Sequence, residues 1–264
     1  MASLAPLPSF PEFHASPEWS AIDFISDLHL SEDTPRTFEA WAAHLRGTSA
    51  SAVVMLGDLF EVWVGDDARH AGFERRCAVV LAEAAARRPL AFMAGNRDFL
   101  VGSEMLDACG VHWLPDPTVL VAFGGRWLLS HGDALCLADT DYQQFRAHVR
   151  SAEWQRDFLA EPLAQRRAQA AAMRAQSEAR KRQQTPADWV DIDKPTALQW
   201  MDAAGAPTLI HGHTHRPAHE LLAPGRAREV LSDWDLDGHG AARAEVLRLN
   251  RAGLVRIAPE RPAA

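Results

Sequence analysis

The sequence predicts an α/β layered fold. Three observations carry this: short apolar runs recur along the chain, helical stretches separate the early ones, and each run halts at glycine or a polar residue.

Residues 1–20, rich in Pro, Ser and Ala, are expected to form a mobile leader ahead of a single domain over 21–264. Residues 21–26 read as a strand. Residues 35–46 read as a helix with Trp41 and Leu45 on one face and Thr34 placed to cap it. A buried-strand run at 52–56, an Ala-rich helix at 73–87 and a strand at 90–94 follow. Residues 118–123 and 126–130 flank Gly124-Gly125, a hairpin signal. From Tyr142 to about Arg182 the pattern is helical, with Pro162 where a new helix can begin, and about 150–190 reads as a helical insertion over the core. Short strands return at 207–210, 220–222, 229–232, 244–249 and 254–258, the last two joined by a turn over 250–253. No internal repeat is present.

At 264 residues and 47% hydrophobic, the chain is long and apolar enough for a substantial core. A net charge of −8 supplies no global basic footprint, so no nucleic-acid partner is expected. Nothing in the sequence calls for an obligatory protein partner. Cys77, Cys109 and Cys136 are an odd number, read as small buried hydrophobes in a reducing compartment. The leader lacks the basic and apolar regions of a signal peptide, and no apolar run approaches the ~20 residues a bilayer requires. The expected location is the cytoplasm, in solution or against a membrane surface.

Where the strands stop is more telling. Residues 21–26 run into Asp27-Leu-His29, 53–57 into Asp58, and 90–95 into Asn96. Residues 127–130 run into His131, and 208–210 into His211-Gly-His213. Ligands of open α/β sheets gather at carboxyl ends of strands, so five such ends predict one shared rim. Asp27 and His29 are two apart, as are His211 and His213, which in extended backbone puts each pair on one side. Each piece has an ordinary reading: Asp58 and Asn96 as turn residues, His131 as a core histidine. The ordered set does not. Carboxylates, an amide oxygen and imidazoles suit Mn²⁺, Fe²⁺ or Zn²⁺, and Asp58 is the carboxylate placed to bridge two cations. A metal pair ~3.5–4 Å apart can activate water and clamp a phosphoryl group.

These motifs, Asp27-Leu-His29, Gly57-Asp58, Gly95-Asn96, His131-Gly-Asp133 and His211-Gly-His213, resemble the calcineurin-like metallophosphoesterase superfamily, over roughly 22–217. The resemblance implies a double β-sheet sandwich flanked by helices. It also implies that Asp27, His29 and His213 hold one metal, Asn96, His131 and His211 the other, and that Asp58 bridges them. Catalytic roles would fall on Asp58, Asn96, Arg97 and His131. Within the superfamily, Gly95-Asn-Arg-Asp98, Gly57-Asp-Leu-Phe-Glu-Val-Trp-Val-Gly-Asp-Asp67 and His131-Gly-Asp-Ala-Leu-Cys136 look like the branch that acts in lipid A synthesis. That branch cleaves the acylated sugar nucleotide UDP-2,3-diacylglucosamine to UMP and 2,3-diacylglucosamine 1-phosphate, uses two Mn²⁺, and works peripherally at the cytoplasmic face of the inner membrane.

By the same resemblance Asn96, Arg97, Asp139, Tyr142, Ser177, Lys181, Gln184 and His211 contact substrate. Lys181 and Gln184 stand where that branch carries Asn and Lys. Arg97 replaces a histidine that elsewhere serves to protonate an alkoxide leaving group. A phosphate with a second pKa of about 6 leaves more easily, so a guanidinium that grips phosphate oxygens is the more useful group; the alternative is a surface arginine after a turn. The insertion, with Trp154, Phe158, Leu159, Leu163 and Met173, either shelters acyl chains or simply packs on the core. Its Arg166, Arg167, Arg174, Arg180, Lys181 and Arg182 face lipid headgroups, the diphosphate or solvent. Asp66, Asp67, Asp133 and Asp139 read as groups orienting the site or as turn residues. Two other functions compete: a phosphoesterase for a nucleotide or phosphoprotein, and a non-catalytic binding protein on the same fold.

Overall fold

The computed structural model describes residues 7–183, 190–238 and 240–261, with 176–183 described as backbone only. In chain order the elements are β1 (Glu12–His14), β2 (Ala21–Ile25), α1 (Pro35–Gly47), β3 (Ala52–Leu56), α2 (Gly72–Ala85), β4 (Leu90–Met93), α3 (Ser103–Cys109) and β5 (Val111–Trp113). The hairpin β6 (Thr118–Ala122) and β7 (Gly125–Leu129) follows, then α4 (Thr140–Val149), α5 (Ala152–Ala160), α6 (Leu163–Gln183) and α7 (Lys194–Ala204). The chain closes with β8 (Thr208–His211), β9 (Ala218–Ala223), β10 (Arg226–Val230), β11 (Val246–Asn250) and β12 (Gly253–Ile257).

The strands form two six-stranded sheets, ordered β12-β11-β2-β3-β4-β5 and β1-β6-β7-β8-β10-β9. In the first, β2 to β5 are mutually parallel, as expected for strands joined through helices. In the second, β7, β8 and β10 are parallel, β6 runs against β7, β9 runs against β10, and β1 is parallel to β6.

Strand alternation builds the layers. Ile22 and Phe24, Val54 and Leu56, Ala91 and Met93 point inward and meet Leu120, Leu129 and Ile210 of the other sheet. Each such large side chain, fully removed from water, contributes about 1.5–3 kcal/mol. The intervening Ile25, Val53, Met55 and Phe92 face outward, against Trp41 and Leu45 of α1, Cys77 and Leu81 of α2, and Leu106 of α3. On the far side Val119, Leu128 and Leu209 pack on Ala197, Trp200 and Met201 of α7. The order is therefore helix, sheet, sheet, helix: the double sandwich that the resemblance implied. All three cysteines are buried and unpaired.

One outward position of β2 is charged. Asp23 is fully buried, takes two hydrogen bonds from Arg248 of β11 (2.6 and 2.9 Å) and one from Thr48 (2.6 Å), and lies 3.2 Å from His44 Nε2. Burial pushes its carboxyl up, but those donors outweigh burial and hold it at about 2.

Several elements differ from the sequence reading. Part of the expected mobile leader is β1, paired parallel with β6, and Phe13 stacks on His112 at 5.2 Å. Helix α3 and the edge strand β5 fill 103–113, where the sequence reading has no element. Helix α7 is absent from that reading too; it is capped by Asp193, whose carboxylate accepts from Thr196 N, and by Gly205 in left-handed backbone (φ 61°). Among the described residues no helix is long and apolar enough to cross a membrane.

Candidate metal centre

The strand ends do converge, but on the seam between the sheets rather than along one rim. β2, β3 and β4 bring Asp27, Asp58 and Asn96 from one sheet; β7 and β8 bring His131 and the 211–215 segment from the other. Past β2 and β3 the chains remain stitched by Asp27 N to Gly57 O, His29 N to Asp58 O and Leu30 N to Leu59 O. Gly212 N to His131 O joins the other two.

The backbone there is not extended. Asp27, His29, Asp58, His213 and His215 all carry positive φ, between 51° and 68°, in the left-handed region that is costly for side chains other than Asn, Asp or Gly. This local strain, not strand alternation, aims the donor atoms inward. At Gly95 the chain passes so close to Asp58 that a Cβ would collide with its carboxylate and its backbone nitrogen.

Two donor sets result. In one, His29 Nε2 and His215 Nε2 stand 3.2 Å apart, His215 Nε2 is 3.4 Å from Asp27 Oδ1, and His29 Nε2 is 3.9 Å from Asp58 Oδ2. In the other, Asn96 Oδ1 lies 3.0 Å from His131 Nε2 and 2.9 Å from His213 Nδ1, with Asp58 Oδ1 at 3.7 Å from His131. Asp58 thus turns one oxygen to each set. Asp27, His29 and His215 form one group able to hold a cation, and Asp27, Asp58 and His131 another.

In the structure His213 stands beside Asn96 and His131, and His215 beside Asp27 and His29, one step further along the histidine run than expected. His211 Nε2 is buried without a hydrogen-bond partner among the described residues, an open lone pair of the kind a metal ligand presents. His211 is the last residue of β8, paired with Val230, and is fully buried; its Nδ1 sits 2.9 Å from Gly212 O. The chain leaves extended geometry only after it. The Asp27/His29 spacing is therefore repeated by His213/His215.

Charges fit a cation site. Burial lowers His131, but Asp58, Asp27 and Asp133 outweigh this and raise it to about 9. Carboxylates that hold a proton on a fully buried imidazole create a field suited to a metal ion. Burial and the neighbouring His131 bring His213 down to about 4, leaving a neutral nitrogen lone pair. His131 Nδ1 is held on Leu56 O at 2.9 Å, so its Nε2 is the free ligand atom.

Other expected residues serve as supports. Asp98 receives backbone N–H groups of Leu59 and Gly95 at 2.7 Å, closing the two loops together. Asp133, buried behind His131, accepts from Tyr142 Oη (2.5 Å) and Arg146 Nε (2.8 Å), and the Tyr142 ring stacks on His213. Asp139 caps α4 through Tyr142 N, and Asp66 holds Gly102 N, Met105 N and Trp63 Nε1. Arg97 donates its backbone N–H to Asp58 Oδ1 at 2.8 Å and sets its guanidinium 3.4 Å from Glu61.

Beyond the donor sets opens a cavity of about 910 Å³. Asn96, Arg97, His213 and His215 line it together with Phe99, Trp154, Phe158 and Met173, and Trp154 and Phe158 stack at 4.7 Å. Leu163 packs against the core and Leu159 is exposed. The lid arginines do not form one basic face. Arg166 is buried on Val64 O, Glu161 O and Asp67, Arg167 pairs with Glu74, and Arg174 with Glu61. The side chains of Ser177, Arg180, Lys181 and Arg182, and the whole of Gln184, lie outside the described residues.

Residues 20–217 match the calcineurin-like phosphoesterase family. The chain belongs to that family. As a calcineurin-like phosphoesterase it is a metal-dependent hydrolase, and the carboxylate, amide and imidazole donors above suit divalent ions. Among curated relatives, UDP-2,3-diacylglucosamine hydrolase of Chromobacterium violaceum is 46% identical, over 89% of this chain and 97% of its own. The proteins of that name from Ralstonia nicotianae and Bordetella pertussis are 45% and 42% identical, over 86% and 90% of this chain and 88% and 93% of theirs.

Proposed function

We propose that this phosphoesterase hydrolyses the diphosphate of UDP-2,3-diacylglucosamine, releasing UMP and 2,3-diacylglucosamine 1-phosphate. The observation that carries the reading is one cavity lined both by Asn96, Arg97, His213 and His215 and by the aromatic lid residues Trp154 and Phe158. A substrate with a diphosphate head and acyl chains needs both kinds of lining. Relatives of that name, matched over most of both chains, support it.

In this reading Asp27, His29 and His213 hold one ion, Asn96, His131 and His211 the other, and Asp58 both, with His215 beside the first group; the buried, unpartnered Nε2 of His211 supports its place there, and Mn²⁺ is the proposed metal. Bound there, the pair would activate water and neutralise phosphate charge. The chain does the rest. Asp133, fixed by Tyr142 and Arg146, keeps the His131 loop in place. Arg97, with its backbone anchored on Asp58, presents a guanidinium to phosphate oxygens as the sugar phosphate departs. The leaving phosphate needs no strong acid, which suits an arginine at this position. Stacked Trp154 and Phe158 exclude water around the chains.

We also place the protein peripherally at the cytoplasmic face of the inner membrane. Exposed Leu137 beside α4, Phe145 on α4 and Leu159 on α5 support contact with lipid there.

The test is purified protein with UDP-2,3-diacylglucosamine, with and without Mn²⁺, scoring UMP and inorganic phosphate separately. UMP should appear only with metal and vanish in Asp58→Ala. No UMP from the wild type with Mn²⁺, or undiminished release by Asp58→Ala, overturns it.

A further inference from the structure

Glu61 lies three residues beyond Asp58, within the run Gly57–Asp67 but outside the proposed ligand set, and it touches several parts of the site. Its backbone N–H donates to Leu30 O (3.1 Å), next to His29, and Trp63 N donates to Arg97 O (3.2 Å). The loop after Asp58 is thereby pinned against both neighbours. Its carboxylate, only 12% exposed, then splits its two oxygens. Oε2 lies 2.9 Å from His29 Nδ1. Oε1 lies 3.0 Å from Arg174 Nε of α6 and 3.4 Å from Arg97.

A buried carboxylate is costly unless paired, and this one has three cationic or protic partners from three segments. Each partner meets a different part of the machinery. His29 offers its other nitrogen to the donor set shared with Asp58 and His215; Arg97 lines the cavity; Arg174 belongs to the lid helix.

We infer that Glu61 is a positioning residue that couples occupation of the His29 donor set to the seating of the lid. On one side it keeps the proton of His29 on Nδ1, so that Nε2 presents its lone pair. On the other it holds α6 through Arg174. A cation drawing on His29 Nε2 strengthens the Nδ1–H donor to Glu61, and the carboxylate so fixed holds Arg174 and Arg97 in register above the site. Arg166 sits one turn-pair earlier on α6, buried on Val64 O, and anchors that end of the helix independently. Arg174 is therefore the adjustable contact. The inference rests on the two-ion reading of the site but not on the identity of the substrate.

Three variants test it without substrate: Glu61→Gln, Glu61→Asp and Arg174→Gln. Mn²⁺ affinity is measured by titration calorimetry, and amide hydrogen exchange is followed over 163–175 with and without Mn²⁺. In the wild type, Mn²⁺ should slow exchange in that segment. Glu61→Gln should weaken Mn²⁺ binding about 10- to 100-fold, the usual effect of losing a partner behind a metal ligand, and exchange should no longer respond once the site is saturated. Glu61→Asp, keeping the charge on a shorter stem, should recover part of the affinity. Arg174→Gln should bind Mn²⁺ within about threefold of wild type, a range typical of context effects on one contact, yet lose the exchange response. Wild-type affinity and response in Glu61→Gln overturn the inference. So does a fall in affinity that matches an equal loss of metal-free stability in all three variants. Because neither readout uses substrate, failure of the diphosphatase reading shows separately, as absence of UMP release by wild type.

Discussion

His29 Nε2 and His215 Nε2 face each other across 3.2 Å, although the two residues are 186 positions apart in the chain. Both are edges of imidazoles whose lone pairs can point to one place. Asp27 and Asp58 stand beside them, so a cation satisfies this arrangement better than a shared proton does.

The buried, unpartnered Nε2 of His211 can be tested directly. His211→Ala should lower bound metal from about two ions per chain to about one and cut kcat/KM at least ~100-fold, more than the loss of a residue that only orients a ligand. Metal content by plasma mass spectrometry decides; two ions retained by the variant overturn the assignment.

Gly95 is a second point of leverage. Gly95→Ala forces a methyl into the Asp58 carboxylate and backbone. Relief requires moving the one carboxylate that faces both donor sets, so metal content and turnover should fall together. The expected cost in stability is about 1–3 kcal/mol, as for overpacked sites, read by urea unfolding of the metal-free protein.

The lid residue Trp154 can be tested by substrate choice. Trp154→Ala removes the stack on Phe158. Burial of such a ring is worth about 1.5–3 kcal/mol, so KM for the diacylated sugar nucleotide should rise roughly 10- to 100-fold. Hydrolysis of a small soluble phosphodiester should not change. Equal effects on both substrates would show that the lid does not hold acyl chains.

Stability should carry an acid-dependent term from Asp23. Its carboxyl is lowered from 3.8 to about 2 in the folded protein. At about 1.4 kcal/mol per tenfold this is ~2 kcal/mol, fully present above pH 3.8 and lost as pH falls through about 2. Urea unfolding of wild type and Asp23→Asn at pH 5 and 2.5 should show the wild-type advantage shrinking toward acid. A constant gap overturns the assignment.

Much of this architecture was readable from the chain. Strands β2, β3, β4, β7 and β8 are apolar runs ending in Asp27, Asp58, Asn96, His131 and His211, and those endpoints locate the site. Local backbone was not legible. An i, i+2 pair shares a side only where the chain is extended, and His211 is still in its strand while His213 and His215 are in left-handed turns. The closeness of His215 to Asp27 and His29 was visible only as a third alternating histidine. Helix α7 carried its own marks, Asp193 before it and Gly205 after it. Strand β1 had almost none: three residues at a sheet edge, held by partners over a hundred positions away. Roles such as those of Glu61 and Arg166 depend on which distant carboxylate or carbonyl meets them, and sequence spacing does not encode that.

The residues proposed to hold each ion come from different sheets of the sandwich, with Asp27, Asp58 and Asn96 on one side and His131, His211 and His213 on the other. An ion held there is a rivet. By mass action, its binding adds RT ln(1 + [M]/Kd) to the free energy holding the halves together, about 2.7 kcal/mol at a hundredfold excess over Kd. Starvation for metal would thus do more than idle the enzyme: it would loosen the joint between its halves, and proteases would find the chain before the metal returned.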